Sequence, residues 1–194
     1  MDNGVRIIVF ISKGGAFFTG DDPIGYSQEI QTESGLVPPI PPGHDNGIGT
    51  YDGLRMISQE LNRTIHAIDK PTIAAINGVA IQTGFSLALA CDFRIAAEEA
   101  HKGNATLRFA LLPDEGGQHL LLQHLGLAKT LGFLMRKRII SAEEARELGL
   151  VHEVVPRSEL ANTTRDLARE LAIGPQVAMR FLKRSIYNAA ELTF

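Results

Sequence analysis

The sequence has little cysteine, no tryptophan and no long apolar run. Its 194 residues include one cysteine, Cys91, so no internal disulfide can form, and the apolar surroundings of this residue favour a buried thiol. The first apolar segment, Val5 to Ile11, is too short for a signal peptide or a membrane-spanning helix. We therefore expect a soluble protein in the reducing cytoplasm, without a membrane as partner.

Neither positive nor negative charge dominates the sequence. The 19 basic and 22 acidic residues give a net charge of -3 and are mixed along the chain, so no basic stripe is available for a phosphate backbone. The six histidines are scattered and none belongs to an H-E-x-x-H motif or a similar ligand pair. The sequence therefore argues against a nucleic-acid partner and against a metal site.

The length and the 44% of hydrophobic residues suit a single folded domain, residues 1–194. Short β-branched runs alternate with amphipathic patterns, which predicts an α/β domain. The expected strands are Val5–Ile11, buried on both faces, then Thr72–Ile76 and Asp92–Ala96. The expected helices are Leu54–Ile68, Gly84–Ala90 and 142–148, the last capped by Ser141.

Between the first strand and the first helix, Pro23 to Gly53 is rich in proline, glycine, serine and aspartate. A long irregular loop is the natural interpretation, and loops of this length commonly have a function. We expect it to act as a lid or to determine which substrate is accepted, with a semi-rigid proline-rich spacer as the alternative.

Three segments carry a resemblance to a known family. Residues 14–22 read GGAFFTGDD, residues 70–92 read KPTIAAINGVAIQTGFSLALACD, and residues 111–117 read LLPDEGG, followed by SAEEA at 141–145. At this spacing they resemble the signatures of the enoyl-CoA hydratase/isomerase (crotonase) family over nearly the whole chain. The resemblance implies a spiral of ββα units with carboxyl-terminal helices.

The same resemblance implies an acyl-CoA thioester as substrate and assembly as a homotrimer or hexamer. Coenzyme A would enter as part of the substrate, and no further cofactor would be needed. Compared with the family, the first strands and the last helices are expected to be absent. Apolar surface would then be exposed, which favours association.

Glycine-rich turns suit thioester chemistry, because an enolate oxygen needs preorganised backbone NH donors. By resemblance the donors are the NH groups of Asp21 and Thr83, the second at a helix amino terminus. The alternative is that Gly20, Gly78 and Gly84 only permit tight turns. The family usually has a small residue at position 21 and glycine at position 82, where this chain has aspartate and Gln82.

The resemblance also implies a set of substrate-binding residues around this turn and the later motif. They are Ala16, Phe18, Gly20, Asp22, Ile24, Gly84 and Pro113.

The family's hydratases use two glutamates, and here the matching positions hold Ser86 and Thr106. A hydroxyl is not a carboxylate base at neutral pH, so water addition is poorly supported. The family's isomerases have an acidic residue just after the motif proline, which makes Asp114 the candidate base and Glu115 the second candidate. The alternative is a turn in which Asp114 caps the next helix and Glu115 lies in its first turn.

Other functions stay open from the residues alone. Ser86 lies in a G-x-S-x-A stretch that resembles a nucleophile elbow, with His119, His124 or His152 as possible partners, but the second glycine is missing. A chain without both glutamates can also bind acyl-CoA without turnover, or serve as a structural subunit. The basic residues of 180–184 either meet CoA phosphates or solvate a helix face.

Overall fold

The computed structural model describes residues 4–20 and 54–191. Its strands are β1 Ile8–Ile11, β2 Ala16–Phe18, β3 Thr72–Ile76, β4 Val79–Ile81, β5 Phe93–Ala97, β6 His101–Gly103, β7 Ile139–Ser141 and β8 Glu153–Val155. Its α-helices are α1 Gln59–Ala67, α2 Thr83–Ala90, α3 Gly117–Leu125, α4 Leu127–Met135, α5 Ala142–Glu147, α6 Arg157–Ile173 and α7 Gln176–Glu191. A π-helical segment, Leu54–Ser58, leads into α1, and a 3₁₀ helix spans Thr106–Phe109.

The strands form two four-stranded sheets between which the chain alternates. The first sheet has the order β1-β3-β5-β8 and is parallel throughout. The second has the order β2-β4-β6-β7, in which only the pair of β6 with β7 is antiparallel. Consecutive strands from β1 to β6 therefore lie in different sheets, which is the winding expected for repeated ββα units, whereas β7 follows β6 within the second sheet.

β3 is the centre of the core because both of its faces are covered. Successive side chains of a strand point to opposite faces. Ala74 and Ile76 join a cluster that includes α2, α3 and α4, whereas Ile73 and Ala75 pack in a second cluster with α6. All five residues of β3 are buried, as expected for a central parallel strand.

The predicted strand Val5–Ile11 is corrected in length and in burial. β1 begins at Ile8, and Val9 and Ile11 are 38% and 55% exposed. Its only strand partner among the described residues is β3, so β1 lies at the edge of its sheet. An edge position leaves one side of the strand uncovered, and a continuous apolar run cannot reveal this.

The carboxyl end of α2 is fixed by a buried arginine. Arg94 on β5 is 3% exposed and donates hydrogen bonds from Nη1 to the carbonyls of Ala88 and Cys91 and from Nε to Leu150 O. A cation at a helix carboxyl terminus satisfies carbonyls that have no partner within the helix. This contact ends α2 at a fixed place and thereby sets the position of its amino terminus.

No helix in the described part of the chain is both long enough and apolar enough to cross a membrane.

The cysteine at position 91 is buried, as predicted, and burial raises the pKa of its thiol to about 12. A cysteine buried in apolar surroundings is typically unreactive, which favours a structural interpretation of this residue.

Candidate active site

The amino terminus of α2 packs directly against the backbone of β2. A Cβ placed on Gly84 would come within 2.5 Å of both Phe18 Cβ and Phe18 O. A Cβ on Gly78 would lie 1.9 Å from Gly15 O. Glycine at both positions is therefore a requirement of close backbone approach, and it brings the end of β2 beside the first turn of α2.

Gln82 precedes this helix in a conformation that glycine favours. Its backbone has φ 52° and ψ -123°, and its side-chain Oε1 accepts a hydrogen bond from Ala105 N at 3.1 Å. Gly20, with φ 94°, is so close that a Cβ on it would lie 3.0 Å from Gln82 Cγ. Position 82 therefore has a backbone conformation that favours glycine, although it carries a side chain.

The two predicted oxyanion donors are only partly covered by the structure. Thr83 is the first residue of α2 and is 6% exposed, so its NH lies in a buried helix amino terminus. Asp21 follows Gly20 directly but is outside the described residues, as are Asp22, Ile24 and the predicted loop Pro23 to Gly53. Gly20, which precedes Asp21, lies close to the side chain of Gln82, which precedes Thr83.

The turn before α3 carries the two predicted catalytic carboxylates. α3 begins at Gly117, and its N-cap is Gly116 with φ 102° and no side-chain cap. The alternative in which Asp114 caps this helix is therefore wrong, because the left-handed glycine separates both acidic residues from the first helical turn. Asp114 is half-buried and Glu115 is 4% exposed.

The carboxylate of Glu115 points toward α2. Ser86 Oγ donates a hydrogen bond of 2.6 Å to Glu115 Oε1, and Ser86 is fully buried. A Cβ on Gly117 would lie 2.3 Å from Ser86 Oγ and 3.0 Å from Glu115 Oε1. This buried contact exists because position 117 has no side chain.

Helix α1 holds the backbone of the same turn from the opposite side. Gln59 Nε2 donates to Asp114 O at 2.8 Å, and Asn62 Nδ2 donates to Glu115 O at 2.9 Å. Asn62 is 4% exposed, so its hydrogen bond is protected from water. The turn is thus fixed at two successive carbonyls.

A cavity of about 390 Å³ lies between α1 and this turn. Most of the residues that line it have polar side chains: Gln59, Asn62, Arg63, His66, Asp114, Glu115, Gly116, Gln118, His119 and Leu120. Cavities of this size with a few fixed polar groups are the usual ligand sites of enzymes. The proposed base therefore lies in the wall of a cavity and not on a convex surface.

The cavity contains side chains that the sequence analysis missed. On α1 they occupy positions 59, 62, 63 and 66, which is the i, i+3, i+4, i+7 spacing of one helix face. The apolar stripe of the same helix was recognised, whereas this polar stripe has the pattern of an ordinary solvent-facing surface. The polar stripe of α1 differs from an ordinary solvent-facing surface because it faces the turn before α3 across the cavity.

Of the remaining predicted binding residues, Ala16 and Phe18 lie in β2, away from this cavity. Phe18, which is 37% exposed, borders an apolar hollow of about 340 Å³ together with Leu87. Ala16 pairs with Val79 of β4. Pro113 is buried beside Gly117, where it supports the turn that carries Asp114.

The serine hydrolase interpretation does not fit the geometry. Ser86 is fully buried and its hydroxyl donates to Glu115, so it is not presented to a substrate. His124 Nε2 lies 3.2 Å from Leu89 O, and burial lowers the pKa of His124 to about 4. His152 Nδ1 accepts from Arg94 N. No group of three or more metal-ligating side chains occurs within residues 4–20 and 54–191.

Solved structures place this architecture in the crotonase class. The fold superposes on an enoyl-CoA hydratase from Bacillus anthracis with a TM-score of 0.85 and 30% identity, covering 99% of this chain and 68% of that one. An enoyl-CoA hydratase from Geobacillus kaustophilus gives a TM-score of 0.83 at 29% identity, with 99% and 67% covered. The predicted fold class is confirmed.

Sequence comparison gives the family. The family model described as enoyl-CoA hydratase/isomerase matches residues 43–193. The chain belongs to the enoyl-CoA hydratase/isomerase family.

Its relatives differ in their reactions. The 1,2-epoxyphenylacetyl-CoA isomerase of Escherichia coli K12 is 33% identical over 98% of this chain and 67% of its own length. The carnitinyl-CoA dehydratase of Salmonella enteritidis is 35% identical, with 98% and 66% covered, and a probable enoyl-CoA hydratase of Rhodobacter capsulatus is 32% identical, with 94% and 64% covered. The chain thus spans about two thirds of the length of these proteins.

Proposed function

We propose that this protein acts on an acyl-CoA thioester and moves a proton within its acyl group, as an enoyl-CoA double-bond isomerase. Membership of the enoyl-CoA hydratase/isomerase family supports the substrate class. Relatives named as isomerase, hydratase and dehydratase show that the family alone does not select the reaction. The choice of isomerisation therefore rests on the residues of the site.

In the proposed reaction the thioester oxygen becomes an enolate oxygen held by the NH groups of Asp21 and Thr83. The buried start of α2 supports this role for Thr83, because NH groups at a helix amino terminus point outward and carry partial positive charge. Preorganised donors of this kind stabilise charge that develops only during reaction.

Asp114 is the proposed base. Its carboxylate removes a proton from C2 of a 3-enoyl-CoA, the electron pair spreads over the dienolate, and the same carboxyl group returns the proton to C4. The product is the 2-enoyl-CoA, and no atoms are gained or lost. The observation that carries the proposal is the position of Asp114, half-buried in the wall of a cavity on a turn fixed by α1.

The hydroxyl side chains at positions 86 and 106 argue against hydration. Ser86 is occupied with Glu115, and Thr106 Oγ1 donates to Asn104 Oδ1 at 2.7 Å. Neither side chain supplies a carboxylate that activates water. The proposed proton transfer requires no metal or redox cofactor, and coenzyme A takes part only as a portion of the substrate.

Product analysis distinguishes isomerisation from hydration. The protein is incubated separately with a 3-enoyl-CoA and with the matching 2-enoyl-CoA, and products are identified by NMR and chromatography. We expect interconversion of the two enoyl isomers without formation of the 3-hydroxyacyl-CoA. Accumulation of the 3-hydroxyacyl-CoA contradicts the proposal in favour of a hydratase, and binding without any product favours a non-catalytic subunit.

A further inference from the structure

The acidic residue beside the proposed base is held inside the protein. Glu115 is 4% exposed, Ser86 is fully buried, and the hydrogen bond between Ser86 Oγ and Glu115 Oε1 measures 2.6 Å. A hydrogen bond in the protein interior is stronger than the same bond in water, because the local dielectric constant is low. The contact joins the turn before α3 to the first turn of α2.

Both ends of this contact lie next to the proposed chemistry. Ser86 is three residues after Thr83, so the two residues lie about one turn apart on α2, and its NH shares the carbonyl of Gln82 with the NH of Phe85. Glu115 directly follows Asp114. The hydrogen bond between Ser86 and Glu115 therefore fixes the position of Asp114, the proposed base, relative to Thr83, a proposed oxyanion donor.

Two further features restrict the same turn. Gly117 leaves space for the contact, since a Cβ there would lie 2.3 Å from Ser86 Oγ. Asn62 Nδ2 donates to the backbone oxygen of Glu115, so both the side chain and the main chain of this residue are held. The turn has little freedom to move Asp114 away from α2.

We propose that Glu115 is a positioning residue. Its buried side chain accepts a hydrogen bond from Ser86, and this bond keeps the neighbouring Asp114 at a fixed place relative to the start of α2. The proposal rests on the proposed function of Asp114. It assigns Glu115 no proton transfer to substrate, because its Oε1 accepts the hydrogen bond of the Ser86 hydroxyl. Misplacement of a catalytic group by about 1 Å can reduce a rate on the order of 100-fold. Loss of the hydrogen bond between Ser86 and Glu115 should therefore lower kcat.

The test compares four variants with the wild type in α-proton exchange and isomerisation of a 3-enoyl-CoA. Glu115→Gln keeps an oxygen that accepts from Ser86, whereas Glu115→Ala and Ser86→Ala remove one side of the contact, and the fourth variant combines both alanine changes. Glu170→Gln on the exposed surface of α6 is the control for loss of a carboxylate. Circular dichroism and thermal unfolding measure the folded fraction of each protein.

We expect Ser86→Ala and Glu115→Ala each to lower kcat about tenfold or more with little change in KM, because the base is displaced while binding persists. The double variant should lose no more than the more affected single variant, as for two halves of one contact. Glu115→Gln should keep at least about one third of the wild-type kcat, since its amide oxygen still accepts the Ser86 hydroxyl.

Three results overturn the proposal. Equal inactivation by Glu115→Gln and Glu115→Ala makes Glu115 an acid or base itself. Wild-type kcat in folded Ser86→Ala shows that the contact positions nothing, even where Asp114→Asn confirms the base. Absence of α-proton exchange in the wild type contradicts both the proposed isomerase function and the positioning role of Glu115.

Discussion

At the scale of single residues, the least expected side chain is a buried lysine on β6. Lys102 is 1% exposed, and its Nζ has no hydrogen-bond partner within the described residues. Burial lowers the pKa of its ammonium group from 10.5 to about 8. A charged amine is much less stable in a protein interior than in water, which explains the direction of this shift.

Lys102→Met should therefore stabilise the protein near neutral pH. The unfolded chain binds more protons than the native state between pH 8 and pH 10.5, so native stability rises across that window and is lowest below it. A shift of this size corresponds to about 3 kcal/mol, which is the expected gain in the methionine variant below pH 8. Urea unfolding at several pH values measures it. A gain that does not shrink as pH approaches 10.5 contradicts the assignment to Lys102.

The site residues divide by how visible they are in the sequence. Asp114 and Glu115 could be predicted because they lie in a recognisable motif beside Pro113. Gln59 and Asn62, which fix that motif from α1, look like the polar face of any amphipathic helix. Their role depends on which element packs opposite, and spacing along one helix does not contain that information.

At the scale of elements, the contact of α2 with β2 depends on the absence of one side chain. A Cβ on Gly84 would lie 2.5 Å from Phe18 O, and the backbone there cannot move without separating helix from strand. Gly132, in the middle of α4, has nothing within 4 Å of the equivalent position. The two glycines form a matched pair for mutation.

Gly84→Ala should destabilise the protein by about 2 kcal/mol or more through overpacking. Gly132→Ala should stabilise it by about 0.5 to 1 kcal/mol, because alanine loses less backbone entropy in a helix. The free energy of unfolding of each variant, from chemical denaturation, gives both values. If the two substitutions have effects of the same sign, the proposed close contact of α2 with β2 is wrong.

The last helix is attached by a buried ion pair that the sequence did not reveal. Lys183 Nζ lies 2.8 Å from Asp92 Oδ2, with side-chain exposures of 7% and 13%. Tyr187 Oη donates to Asp92 Oδ1 at 2.6 Å. The expectation that the basic residues of 180–184 solvate a helix face is therefore wrong for Lys183, whose ammonium group holds α7 against the start of β3 and the end of α2.

Removing the contact of Tyr187 or that of Lys183 with Asp92 should lower the free energy of unfolding by different amounts. Tyr187→Phe loses one hydrogen bond to a charged group and should cost about 2 kcal/mol. Lys183→Met leaves a buried carboxylate without its cation and should cost about 3 to 5 kcal/mol. Hydrogen exchange of α7 amides and urea unfolding measure both effects. A larger effect for Tyr187→Phe than for Lys183→Met contradicts the ranking.

Elements at the centre of the fold were predicted more accurately than those at its edge. β3 has the predicted bounds, and Ser141 Oγ accepts from Glu144 N as the cap of α5. The bounds of β3 follow from a strand that is buried throughout, and the cap follows from local sequence. The exposure of β1 depends on the number of strands beside it, which its own residues do not specify.

At the scale of the whole molecule, helix α7 exposes large apolar side chains. Val177 is 68% exposed, Phe181 70%, Leu182 60% and Ile186 58%. Clustered apolar side chains on a surface favour association. Assembly as a trimer or hexamer remains a prediction, and this surface is the part of it that the described residues support.

Phe181→Glu should weaken self-association. A carboxylate in an apolar contact must lose its hydration, which disfavours the interface, whereas Glu170→Gln on α6 should leave association unchanged. Sedimentation velocity over a range of protein concentrations gives the distribution of species. A wild type that is monomeric at all concentrations, or a variant with the wild-type distribution, contradicts a role of α7 in assembly.

The most direct test of the proposed function is the exchange of α-protons for deuterium in a short 3-enoyl-CoA, followed by NMR, with wild type and Asp114→Asn compared under identical conditions. The amide cannot act as a base, so we expect exchange and isomerisation in the wild type and a loss on the order of 100-fold or more in the folded variant. Wild-type exchange in Asp114→Asn would contradict the assignment of the base, and absence of exchange in both proteins would contradict isomerase activity altogether.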